Sequence, residues 1–179
     1  MYYTTTHPSP VGLLHLAGDG EHLLGLWLEG QKYFGGSVPG ELTADHELPL
    51  FSQVKHWLDR YFAGEQPAIS LLPLAPLGSE FRQAVWRQLC AIPYGETTTY
   101  GEIAKTLAAR SNLPSMSSQA VGGAVGHNPI SIIIPCHRVI GRDGSLTGYA
   151  GGLHNKVHLL EHEGALSSLF YVPTKGTAL

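Results

Sequence analysis

The chain has 179 residues, 43% of them apolar and 14% charged, with a formal charge of −3 and a pI near 6.3. This composition excludes a disordered chain, the aperiodic 22 Gly and 12 Pro exclude a collagen-like one, and two cysteines are too few for a disulfide framework. No apolar run reaches the roughly 18 residues of a membrane span, and no Lys or Arg precedes an apolar stretch at the N-terminus as in a signal peptide, so the sequence predicts a cytoplasmic protein without a membrane partner.

Charge is unevenly placed. Residues 1–77 hold three basic against eight acidic side chains, a net of −5, and residues 78–179 hold eight basic against six acidic, a net of +2. A polyanion such as DNA would meet the second part, although so small an excess over that length is also what chance produces.

The N-terminal third has the period of strands. Gly12–Leu16 and Leu23–Leu28 are apolar runs separated by Gly18-Asp19-Gly20, which predicts a hairpin. A Gly/Pro-rich loop follows at 35–40. Leu50, Phe51, Val54, Trp57, Leu58, Tyr61 and Phe62 then recur at the 3–4 spacing of an amphipathic helix that Gly64 stops. Pro67, Pro73 and Pro76 exclude a helix over 67–78 and predict an extended connection, with a domain boundary near residue 77.

The second part is helical. Ser79 can cap a helix to about Ala91, with Phe81, Val85, Trp86 and Leu89 on one face. Ile92-Pro93-Tyr94-Gly95 breaks it. Thr99 with Glu102 three residues later is a capping box for a second helix. Ser111-Asn112-Leu113-Pro114 turns the chain, and a small-residue helix is predicted from about Ser115 to Val125. Two short helices joined by a turn form a helix-turn-helix pattern, one that ordinary helical pairs share. Residues 166–179 form a tail without a motif.

Ile130–Ile134 is a β-branched run, read as a buried strand, that leads into Pro135-Cys136-His137-Arg138. On the residues alone, Cys136 is either a nucleophile with a histidine beside it or a small buried hydrophobe. Cys90, between Leu89 and Ala91, is expected in the core. His154, His158 and His162 stand four residues apart, but each step drifts about 40° around a helix, and no metal site is predicted there.

Pro135-Cys136-His137-Arg138-Val139-Ile140 resembles the active-site signature of the O6-alkylguanine-DNA alkyltransferases, the methylated-DNA–protein-cysteine methyltransferases. The likeness extends through Ile92-Pro93-Tyr94-Gly95-Glu96-Thr97, Tyr100-Gly101-Glu102-Ile103-Ala104, Ala120-Val121-Gly122-Gly123-Ala124-Val125 and Asn128-Pro129. It continues in Thr147-Gly148-Tyr149-Ala150-Gly151-Gly152 and Leu160-Glu161-His162-Glu163-Gly164. In the first part it is carried by Ser9-Pro10-Val11-Gly12 and Tyr61-Phe62-Ala63-Gly64.

The resemblance implies a small ribonuclease-H-like α/β domain over 1–77, then a helical, winged-helix-like domain with a helix-turn-helix over 78–165. It implies a single-turnover repair protein that moves the alkyl group of O6-alkylguanine in double-stranded DNA to Cys136. His137 would take the thiol proton through a water, with Glu163 orienting the imidazole. Asn128 would brace the hinge before the active-site segment. Tyr100 would drive base flipping and protonate the leaving base. Val139, Tyr149, Ala150 and Gly151 would line the pocket, while Ser118, Gln119, Ala120, Gly122 and Arg138 would meet DNA in the minor groove. No cofactor, no metal and no obligate protein partner are implied, and the protein is expected to act as a monomer.

Two positions depart from the family's pattern. Gln119 stands where the family places an arginine, and the turn from Ala108 to Ser117 is longer than usual. Both predict weaker duplex binding, and they leave open a second reading, a lesion-recognition protein with little or no transfer activity.

Overall fold

The computed structural model describes residues 1–174, so the last five positions of the predicted 166–179 tail lie outside the described residues. The chain divides into two compact units, residues 1–78 with 129–133, and residues 79–128 with 134 onwards.

The first unit is built on a four-stranded sheet. Strands β1 (Tyr2–Ser9), β2 (Gly12–Gly18), β3 (Leu23–Leu28) and β4 (Leu42–Ala44) lie in the order β3-β2-β1-β4. β1 and β2 pair antiparallel up to Ser9 opposite Gly12, so only Pro10 and Val11 form the turn. The predicted β2–β3 hairpin is present, and the Asp19 carboxylate accepts from the amides of Glu21 and His22 to set its turn.

β3 ends the sheet, yet every residue in it is buried. Its outer edge is taken by backbone from the same unit. Leu23 exchanges hydrogen bonds with Pro73 and Ala75, and Leu26 with Pro129 and Ser131. Helix α1 (Pro49–Phe62) buries Leu50, Phe51, Val54, Trp57, Leu58 and Tyr61, the stripe expected from the sequence except for Phe62, which is half-buried. The connection after it is extended except for one 3₁₀ turn, Ile69–Leu71.

In the second unit, helices α2 (Glu80–Cys90), α3 (Tyr100–Arg110) and α4 (Ser118–Gly126) pack together. Each begins at a hydroxyl cap. Ser79 accepts from the Arg82 amide, Thr99 from Glu102 and Ser117 from Ala120. The Ser117 cap places the start of α4 three residues later than predicted. α3 ends with Asn112 at φ 53° and the Leu113 amide bonded back to the Ala108 carbonyl, a Schellman-type closure. The Trp86 indole donates to the Ala124 carbonyl and ties α2 to α4. Strands β5 (Thr98–Thr99) and β6 (Val139–Ile140) pair in parallel, and α5 (Leu153–His162) completes the unit. The architecture is the predicted α/β unit followed by a helical unit with a helix-turn-helix.

Two local expectations fail. Cys90, the last residue of α2, lies off the Val85, Trp86 and Leu89 stripe and is exposed. Ile130–Ile134 is not a strand. Ile130 makes one isolated bridge, to Leu26, and the chain then turns tightly with the Ile133 amide on the Ser131 carbonyl and Ile132 at φ 71°. A second three-residue turn follows, centred on Pro135, where the Cys136 amide donates to the Ile134 carbonyl. A positive φ at a β-branched residue is strained, and here both turns precede the cysteine.

Among the described residues no helix is long and apolar enough to cross a membrane, and no group of three or more His, Cys, Asp or Glu side chains could hold a metal ion.

Candidate active site

The two turns deliver Cys136 to the start of a single 3₁₀ turn, Cys136–Arg138, whose three side chains are all buried. Asn128, just after α4, reaches across the chain. Its Nδ2 donates to the Ile134 carbonyl at 2.8 Å and to Cys136 Sγ at 3.1 Å. Burial pushes the thiol above its ordinary value, opposed by the Asn128 hydrogen bond and by the charge of Lys156. Cys136 is therefore held as a neutral thiol beside groups that favour its anion.

His137 is fully buried, and its Nε2 lies 2.7 Å from Glu163 Oε1. Glu163 follows the last turn of α5 and is itself buried. Its carboxylate can only accept, so Nε2 carries the proton and Nδ1 is left with its lone pair. Nδ1 is buried and bonds to no protein atom among the described residues. Burial lowers the affinity of His137 for a second proton, Glu163 works against this, and the charges of Arg138 and Lys156 add to it. Burial alone would raise the Glu163 carboxyl, but hydrogen bonds from His137 and Arg138 hold it well below the usual carboxylate range.

The other predicted site residues come from α3, α4, β6 and the loop before α5. Tyr149 is buried, and its hydroxyl has no partner among the described residues. Tyr100, the first residue of α3, donates its hydroxyl to the Thr147 carbonyl at 3.0 Å, and burial pushes its pKa up to about 12. The Gly151 carbonyl accepts from Asn155 in the first turn of α5, and Ala150 is half-buried beside it. Ser118, Gln119 and Ala120 are exposed on the first turn of α4. Gly122 faces the Tyr100 ring, where an added Cβ would sit 3.8 Å from it.

Residues 80–165 match the family described as 6-O-methylguanine DNA methyltransferase, DNA binding domain, and residues 1–76 match its ribonuclease-like domain. The chain belongs to this family. The methylated-DNA–protein-cysteine methyltransferase of Haemophilus influenzae is 47% identical over 161 residues, covering 90% of this chain and 86% of the relative. That of Methanosarcina acetivorans is 46% identical, covering 92% and 99%. The crystal structure of Mycobacterium tuberculosis OGT in complex with DNA is 44% identical, covers 92% of both chains and superposes with a TM-score of 0.77.

Within this methyltransferase fold, one predicted site residue is placed otherwise. Arg138, expected to meet DNA, is 6% exposed and turned inward. Its Nε and Nη2 donate to the two oxygens of Glu163 at 2.8 and 3.0 Å, and its Nη1 donates to the Ile92 carbonyl at 2.6 Å. The guanidinium also lies 5.7 Å from the Tyr94 ring centroid. A buried guanidinium needs a carboxylate, and Glu163 supplies it.

Lys156 is a site residue that the sequence reading missed. It is 1% exposed, and its Nζ donates to the carbonyls of Val139 and Thr147. Burial lowers its pKa to about 8, while a thiolate at Cys136 would raise it. The signal was present in α5, where Lys156, Leu159, Leu160 and Glu163 share the inward 3–4 spacing.

Proposed function

We propose that this protein repairs DNA by moving an alkyl group from O6 of guanine in a duplex to Cys136, once per molecule. The observation that carries the reading is the buried His137–Glu163 pair directly after Cys136, in which the imidazole keeps a buried Nδ1 that bonds to no protein atom among the described residues.

The thiol proton passes to His137 Nδ1 through a water, and Glu163 offsets the charge on the imidazolium. Sγ attacks the alkyl carbon, the S–C bond forms as the C–O6 bond breaks, and the departing guanine takes up a proton. The thioether is a poor leaving group, so the cysteine is not regenerated. Lys156 and the Asn128 amide favour the thiolate as it forms.

A stacked base cannot reach a buried sulfur, so the alkylated guanine is flipped out. The exposed first turn of α4, Ser118 to Ala120, fits the minor-groove contact, with Gln119 reaching the gap left in the stack. Tyr100 drives flipping and gives a proton to the base, which requires its hydroxyl to leave the Thr147 carbonyl. Val139, Tyr149, Ala150 and Gly151 line the pocket.

The test is stoichiometry. Loss of O6-methylguanine from an excess of duplex should stop at one equivalent of protein. Loss continuing beyond that would indicate a hydrolase using the same cysteine. Tight lesion binding without loss would indicate a recognition protein.

A further inference from the structure

The tail beyond α5 has no part in the relay, yet it is tied to the segment that carries the pocket. Between β6 and α5, residues 141–152 contain no helix or strand. The tail supplies part of what this loop lacks. The Tyr171 amide donates to the Gly144 carbonyl at 3.2 Å, and the Leu146 amide donates to the Tyr171 carbonyl at 2.8 Å. The Tyr171 hydroxyl donates to Asp143, whose other oxygen accepts from the Ser145 amide.

Phe170 packs on the buried cluster of Ile140, Leu146 and Leu160. The tail approaches so closely that a Cβ on Gly144 would stand 2.6 Å from the Leu169 carbonyl oxygen, and Gly144 also has φ +87°. Only glycine suits that position. Ser167 shapes the tail itself, through its hydroxyl on the Leu169 amide and its carbonyl on the Phe170 amide.

The contact continues directly into the pocket. Leu146, held by the Tyr171 carbonyl, precedes Thr147, whose carbonyl accepts from both Tyr100 and Lys156. Gly148 lies against the Tyr100 hydroxyl, and Tyr149 is the buried pocket residue. We propose that Ser167–Tyr171 is a strap that sets the position of the pocket wall Leu146–Tyr149, with Tyr171 a positioning residue for recognition of the alkylated base. This rests on the function proposed above. Exposed Tyr171 touches no reacting group. It acts through the loop.

The experiment compares Tyr171→Phe, Phe170→Ala and Asp143→Leu with Asp143→Asn, which keeps an acceptor for the tyrosine hydroxyl. All are made in a Cys136→Ser background, so that binding is read without transfer. Affinities for an O6-methylguanine duplex and for the undamaged duplex are measured, with amide hydrogen exchange at residues 144–149. The first three variants should lower the lesion-to-undamaged affinity ratio about fivefold and speed exchange at Leu146 and Thr147 about tenfold. Undamaged binding should be unchanged, and Asp143→Asn should behave as the parent.

An unchanged ratio overturns the proposal, whether or not exchange accelerates, and so does an equal loss on both duplexes. Should the unmutated protein fail to transfer an alkyl group, the function falls, while the affinity ratio still decides the strap.

Discussion

Arg138 closes on both carboxylate oxygens of Glu163, through Nε at 2.8 Å and Nη2 at 3.0 Å, while His137 shares one of the same oxygens. The residue two places after Cys136 thus serves the His137–Glu163 pair from within. Arg138→Met takes the guanidinium away from a buried carboxylate and should cost about 3–5 kcal/mol of unfolding free energy, read by urea denaturation. At a temperature where the variant is folded, the salt dependence of duplex binding should match the unmutated protein. A slope shallower by about one would mean that Arg138 neutralises a phosphate.

The relay also sets an acid limit. His137 is held neutral below its ordinary 6.5, so the unfolded chain binds the extra proton first and stability falls as pH drops through that value. Glu163 has a depressed pKa and contributes stability above its ordinary 4.5, which is lost as pH falls below it. Unfolding free energy measured from about pH 7 to about pH 3.5 should therefore fall continuously and most steeply at the acid end. Glu163→Gln should be less stable throughout and should show a shallower final fall. A parallel curve for the variant would contradict the assignment.

Asn128 and Lys156 both favour the Cys136 anion. Asn128→Ala and Lys156→Met should each move the pH midpoint of Cys136 alkylation by iodoacetamide upward. Asn128→Ala should also cost about 1 kcal/mol of stability, because the Ile134 carbonyl loses one of its donors. An unmoved midpoint in both variants would show that neither group acts on the sulfur.

Gln119 is exposed on the first turn of α4 and lacks the charge and reach of an arginine. Gln119→Arg should tighten duplex binding and steepen its salt dependence by about one. Equal affinity for the two forms would remove this position from the DNA contact.

Much of this was legible in the sequence because local chemistry carried it. The stripe of α1 follows from spacing, and the starts of α2 and α3 follow from single hydroxyl residues whose oxygens cap the first-turn amides. The ribonuclease-like and DNA-binding parts, and the motif that brings Cys136 and His137 together, were readable too. What failed depended on distant partners. The 130–134 run looks like a strand because Ile favours extended backbone, but the bonds of Leu26 to Pro129 and Ser131 use up its pairing, and Ile132 turns away at positive φ. Arg138 looks like a DNA contact until Glu163, 25 residues later, is seen to claim it. Lys156 was hidden by the ordinary expectation that lysines face water.

The central claim is that Cys136 itself keeps the alkyl group. It is tested most directly by the intact mass of the protein after incubation with a duplex carrying O6-methylguanine, with Cys136→Ser in parallel and peptide mapping of the product. The account predicts a gain of one methyl group that saturates at one equivalent, maps to Cys136 and is absent from the variant. No gain in mass, or a gain that persists in Cys136→Ser, would contradict it.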